Sequence, residues 1–110
     1  MNEARRKVWV KTSNGYAEEI GSIFFTGVGL TKSFGNIFYN TAQPYGIQLV
    51  TAFKTTCIVL VHPSCGNSIL TTTTTTIDLS SSTKVLKYWI GSAQSGTYDI
   101  YVMYRVVGTI

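Results

Sequence analysis

The chain has 110 residues, 45% of them hydrophobic and only 13% charged, with a formal net charge of +4. That length fits one domain, and this much apolar content with so little charge excludes an intrinsically disordered chain. Apart from Arg5, Arg6 and Lys7 the basic residues are scattered, which argues against a nucleic-acid interface, and no stretch offers the ~20 apolar residues of a membrane-spanning helix.

The opening MNEARRKVWV lacks the apolar centre of a signal peptide. Either the protein is made and stays in a cytoplasm, or a leader has been removed. Residues 1–6 read as a flexible basic arm. The first strand then falls at residues 7–12, KVWVKT, and Asn14-Gly15 marks a hairpin turn into a second strand at 16–20. Residues 23–26 form a short apolar run before Gly27 and Gly29 loosen the chain. NIFYNT, 36–41, is a strand that ends before Pro44. GIQLVTAFK, 46–54, sets Ile47, Leu49, Thr51 and Phe53 against Gln48, Val50, Ala52 and Lys54. TCIVLV, 56–61, is apolar on both faces and reads as a central strand.

Six consecutive threonines, 71–76, follow a turn at Pro63, Gly66 and Asn67. Threonine is β-branched and favours extended backbone. At period two Ile69, Thr71, Thr73, Thr75, Ile77 and Leu79 share a face. The run is therefore a strand with apolar anchors, with a bulge or break allowed inside it. A mucin-like linker would need proline, and an ice-binding lattice would need repeats. TKVLKYWI, 83–90, and TYDIYVMYRVV, 97–107, complete eight to nine closely spaced strands. The expectation is one all-β domain over 7–110, a two-layer antiparallel sandwich, jelly-roll-like more than immunoglobulin-like.

Cys57, His62 and Cys65 offer three metal ligands where a structural zinc site uses four, so no metal site is expected. Whether the two cysteines form a disulfide depends on how the chain turns at Pro63. No cofactor motif appears; GSIFFTGVG lacks the lysine of a phosphate-binding loop. His62 has no nucleophile elbow near any serine. Glu18 and Glu19 would point to opposite faces of a strand, and Asp78 with Asp99 is an unsupported pair. The chain reads as a non-enzyme.

The unusual feature is its outward aromatics. Trp9 lies between Lys7 and Lys11, opposite in sense to Val8 and Val10. Trp89 shares a face with Val85 and Lys87, and Tyr101 and Met103 alternate with the apolar face of residues 98–106. Lysine stems could cover the rings. Alternatively these residues, Trp9, Trp89, Tyr101 and Met103, meet another chain, since Trp and Tyr are enriched at interface cores. The low charge favours a homo-oligomer.

KVWVKTSNGYAEEIGSIF resembles segments of tailed-phage structural proteins, and SGTYDIYVMYRVVGTI resembles the final strand of phage fibre or decoration domains. The resemblance covers about a third of the chain. It implies a small β-sandwich, often trimeric, assembled in the host cytoplasm into a virion as a capsid decoration, fibre or baseplate module. Its partners would be other virion proteins, with Arg5, Arg6 and Lys7 docking on an acidic virion surface and a host surface glycan as a further partner. The competing expectation is a carbohydrate-binding module using Asn40, Tyr45 and Trp89, because sugars stack on exposed aromatics.

Overall fold

The computed structural model describes residues 2–39, 45–65, 70–78 and 84–110. The described residues form nine strands and no helix: β1 (Asn2–Ser13), β2 (Tyr16–Leu30), β3 (Lys32–Phe34), β4 (Ile37–Tyr39), β5 (Tyr45–Gln48), β6 (Thr55–Ser64), β7 (Leu70–Asp78), β8 (Val85–Ser92) and β9 (Gly96–Thr109). They form two antiparallel sheets. The first has the order β1-β2-β9-β6, and the second is built around β8, with β7 on one side and β5 and β4 end to end on the other. The expected all-β sandwich is the observed one. The pairing is nested: β2 pairs with β9, and inside that β4 and β5 pair with β8.

The hairpin expected at Asn14-Gly15 is there. Both residues have positive φ, 51° and 81°, which a two-residue turn of the primed type requires. It sets Ser13 opposite Tyr16 and fixes the register of β1 on β2. β2 is longer than its apolar pattern implied. It absorbs the run at 23–26 and continues past a bulge between Phe25 and Val28 to Leu30. Gly27 (φ 64°) makes that bulge, and its N–H donates to Asp99 Oδ1 at 3.0 Å. Because β2 is long, it offers an edge to the whole N-terminal segment. β1 therefore starts at Asn2, not at residue 7, and Arg5 and Arg6, expected in an arm, lie within the sheet opposite Phe24 and Ile23.

Two further strands depart from expectation. β6 is an edge strand, not a central one. Its double-sided apolarity reflects Val59 and Val61 packing on the core while Ile58 and Leu60 are exposed. Pro63, which has no N–H to give a ladder, is tolerated there because one side of an edge strand is unpaired. β5 ends at Gln48, although the alternation continues: Leu49, Thr51 and Phe53 are buried and Val50, Ala52 and Lys54 exposed. Leu49 N–H still reaches the Lys84 carbonyl at 2.7 Å, but the next two amides go elsewhere, as described below. In β7 a register shift between Thr74 and Thr76 places Leu70, Thr72, Thr74 and Ile77 opposite Ser92, Ile90, Tyr88 and Leu86. The unbroken period-two face from Ile69 to Leu79 is thus interrupted at Thr75, and both of those end residues lie outside the described part.

The core lies between the sheets. Ile23, Phe25, Val28 and Leu30 of β2 and Ile100, Val102, Tyr104 and Val106 of β9 face Leu86, Tyr88 and Ile90 of β8, with Ile47, Leu49 and Phe53 closing one side. All are nearly inaccessible to solvent. Burying each large apolar side chain contributes about 1.5–3 kcal/mol.

Candidate functional site

The outer face of the β1-β2-β9-β6 sheet is the unusual surface. Strand alternation and the register set its rows across the four strands. Arg5, Phe24, Tyr101 and Ser64 form one row, and Lys7, Ser22, Met103 and His62 the next. Trp9, Ile20, Arg105 and Leu60 follow, then Lys11, Glu18, Val107 and Ile58. Among the described residues nine large apolar side chains are exposed, and six of them, Trp9, Tyr16, Ile58, Leu60, Tyr101 and Met103, share this face. Trp9 is 56% accessible, Leu60 55% and Met103 52%. The lysine stems beside Trp9 therefore do not cover it. A monomeric protein exposes single apolar residues freely, but a contiguous group is the mark of a contact surface.

Charge on this face is one-sided. Arg5, Lys7 and Lys11 line its β1 margin, while the carboxylate of Glu18 is taken by Arg105 Nε at 2.5 Å. At one end Arg5 Nη2 donates to Tyr101 Oη at 2.7 Å, and its guanidinium lies 5.7 Å from the centre of the Phe24 ring. Phe24 and Tyr101 stack with centroids 4.5 Å apart and a 34° tilt. Arg5, Lys7, Ser22, Phe24 and Tyr101 line a shallow depression of about 110 Å³.

The reverse side of the same strands holds a buried polar clasp that sequence reasoning did not foresee. Glu19 is fully buried among apolar residues of β2. Its Oε1 accepts from the amides of Thr51 (2.8 Å) and Val50 (3.1 Å), and its Oε2 from Tyr104 Oη at 2.6 Å. Arg6, projecting inward, donates to the Gln48 carbonyl and, at 3.4 Å, to Tyr104 Oη. Burial, and then the bond to Glu19, push the Tyr104 hydroxyl up to about 12, with Arg6 opposing. Gly21 makes the room: a Cβ there would lie 2.1 Å from the Tyr104 ring. The clasp holds the segment just past β5: the carboxylate takes the Thr51 amide, which by alternation would have been the next to bond the neighbouring strand, and the Val50 amide, which by the same alternation points away from it. The one available signal was Glu19 itself, an acid in register with Ala17, Gly21 and Ile23.

Of the residues expected at an interface, Trp9, Tyr101 and Met103 come together on the outer face. Trp89 does not join them. It is half-buried on the outer side of the other sheet, where its strand partner is Thr73. Of the residues expected to contact a glycan, Asn40 lies outside the described residues, and Tyr45 pairs with Tyr88 at the start of β5. The basic triplet is split by alternation, with Arg5 and Lys7 outward and Arg6 inward in the clasp, so it is not a single docking element. Ile58, Leu60, Phe24 and Ser22 join the face unforeseen. Glu18 and Glu19 do point to opposite faces. His62 is exposed beside Met103, Cys57 is exposed with Sγ 3.4 Å from the Val107 carbonyl, and Cys57 and Cys65 are not joined in a disulfide. Among the described residues no group of three or more His, Cys, Asp or Glu is placed to hold a metal, and no helix is long and apolar enough to cross a membrane. No family model matches the chain, and no curated protein and no solved structure matches it.

Proposed function

We propose that this chain is a structural module that acts by adhesion to other protein chains through the outer face of the β1-β2-β9-β6 sheet. The observation that carries this is the gathering of Trp9, Met103, Leu60, Ile58, Tyr101 and Tyr16 on that one face. Four strands ~4.8 Å apart and about ten residues long present roughly 600 Å², approaching the ~800 Å² per partner of a stable interface. Tyr101 and Met103 on the central strand β9, with Trp9, Leu60 and Ile58 on the strands beside it, supply the aromatic and methionine content in which such interfaces are enriched. The setting is the one the phage resemblance implies, a virion, in which the chain would serve as a capsid decoration, fibre or baseplate domain beside other virion proteins. The same resemblance carries a homotrimer as the form of self-association.

Light scattering over a concentration series tests the adhesive face. The expected result is a defined oligomer that reverts to monomer when Met103→Glu or Leu60→Glu places a charge in its centre. A wild-type protein that stays monomeric at millimolar concentration and captures no virion protein from its own genomic neighbourhood would end the proposal. So would an oligomer indifferent to both substitutions.

A further inference from the structure

We propose that the end of this face holds a site for an acidic sugar, a pyranose ring bearing a carboxylate or a sulfate, formed by Arg5, Lys7, Ser22, Phe24 and Tyr101. The site lies beside the apolar centre, at the row where β1 and β9 near the end of their pairing with β2. It does not depend on the protein–protein role of that centre.

Three features favour an oxyanion. The depression carries two cations and no carboxylate. On the two central strands the nearby acids are committed, Glu18 to Arg105 and Asp99 to the Gly27 amide. Neither Arg5 nor Lys7 has an ion-pair partner among the described residues. A guanidinium fork and an ammonium converging on one depression are suited to a carboxylate or sulfate, the fork by two parallel bonds and the ammonium as a point charge. Arg5 is also held in place beforehand by Tyr101 and by the Phe24 ring, so little side-chain freedom remains to be lost when a ligand arrives.

Two features favour a sugar over a bare anion or an acidic peptide. The Tyr101 ring, stacked on Phe24 at a 34° tilt and 45% accessible, offers an apolar wall against which the C–H face of a ring can pack. The Ser22 hydroxyl lies in the same wall, and Tyr101 Oη accepts from Arg5 while its own hydrogen finds no acceptor among the described residues. Both are placed to serve ring hydroxyls. An acidic side chain would use the cations and leave the aromatic wall idle. A depression of about 110 Å³ accommodates one ring and not an extended chain, so single-site affinity is weak, with Kd on the order of 0.1–1 mM, and useful strength would come from several copies acting together.

The test is an NMR titration of the full chain with four probes: a glucuronate-containing disaccharide, its sulfated counterpart, the neutral parent disaccharide, and a tri-glutamate peptide, with inorganic sulfate as a fifth arm. The expected result is saturable shifts of residues 5, 7, 22, 24 and 101 with one or both acidic sugars, at least tenfold weaker binding of the neutral sugar, and at least fivefold loss in Lys7→Gln and in Arg5→Gln. Lys7 is exposed, so its variant keeps the fold, and the unchanged spectrum of the core residues verifies this. Equal binding of the neutral sugar, equal binding of sulfate or of the peptide, no saturation by ~10 mM, or binding indifferent to both substitutions would overturn the site.

Discussion

The clasp around Glu19 gives the most demanding prediction. Glu19→Ala removes the acceptor of three donors at once: the Thr51 amide, the Val50 amide and the Tyr104 hydroxyl. The Thr51 amide and the Tyr104 hydroxyl are buried, and each donor left without a partner costs about 1–3 kcal/mol. Val50 is exposed, so water takes over its amide and adds little. Together these amount to roughly 3–5 kcal/mol, against a total of ~5–15 kcal/mol for a domain of this kind. Glu19→Gln keeps one carbonyl oxygen for the amides and lets the tyrosine hydroxyl turn round, so its loss is about 1–2 kcal/mol. Urea unfolding gives these numbers, and a double-mutant cycle with Tyr104→Phe isolates the shared bond at about 1–2 kcal/mol. Hydrogen exchange supplies a local readout, because the Val50 and Thr51 amides have no ladder partner and their protection rests on the carboxylate. If Glu19→Ala shifts stability by less than about 1 kcal/mol, or leaves those two amides protected, the clasp is not what holds the segment after β5.

Gly21→Ala should destabilise by about 1–3 kcal/mol, because the new methyl would lie 2.1 Å from the Tyr104 ring, whereas Gly29→Ala on the same strand meets nothing within 4 Å and should be neutral within ~0.5 kcal/mol; thermal melts of the pair distinguish crowding from strand propensity. Gly108→Ala should be more severe than either and should lower the yield of folded protein, since its Cβ would lie 1.9 Å from the Thr55 carbonyl oxygen of the neighbouring strand, a backbone atom that cannot rotate away. Tyr104 produces an alkaline limb: its hydroxyl ionises near 12 in the fold and near 10 when unfolded, so its contribution is complete below pH 10 and is lost as pH rises to 12, about 2–3 kcal/mol in all. Denaturant midpoints from pH 9 to 12 should show that limb in the wild type and a shallower one in Tyr104→Phe.

Much of the fold was legible because period-two patterns record burial directly. The alternation along 98–107 and 85–90 matches the observed sides residue by residue, and Asn14-Gly15 fixed one hairpin. What the pattern does not record is which backbone partner a strand finds. Residues 46–54 kept their alternation, yet the strand ends at Gln48 and the amides of Val50 and Thr51 go to a carboxylate 31 and 32 residues earlier in the chain. β6 looked central because both its faces are apolar, but burial between layers and an exposed apolar outer face leave the same sequence signature. Trp9, Tyr101 and Met103 were identifiable as outward residues, while their convergence depended on the β1-β2-β9 order. Trp89 looked equivalent to Trp9 and falls on the other sheet, since outwardness is a local property and the sharing of a face is not.

One strand pair ties the core and the surface together. On β1, Arg5 and Lys7 face outward while Arg6 between them reaches the clasp; on β2, Phe24 and Ser22 face outward while Ile23 and Gly21 face the core and Tyr104. The clasp therefore adds to the hairpin turn in holding the register of the residues that line the outer depression, because a one-residue slip of β1 would bring Arg6 to the surface and bury Arg5 and Lys7. A buried acid is a costly way to hold a loop if stability alone is at stake, since an apolar side chain would pack there without desolvating a charge. Its worth lies in specificity: only one register lets Arg6 meet Gln48 and Tyr104 while Glu19 meets Val50 and Thr51. Replacing Arg6 by Met removes the cation beside the buried Glu19 carboxylate and should cost about 1–3 kcal/mol; it should also broaden or double the amide resonances of β1 as competing registers become populated. A single sharp set of β1 resonances in Arg6→Met would show that the hairpin turn at Asn14-Gly15 alone sets the register and that the inward arginine has no part in it.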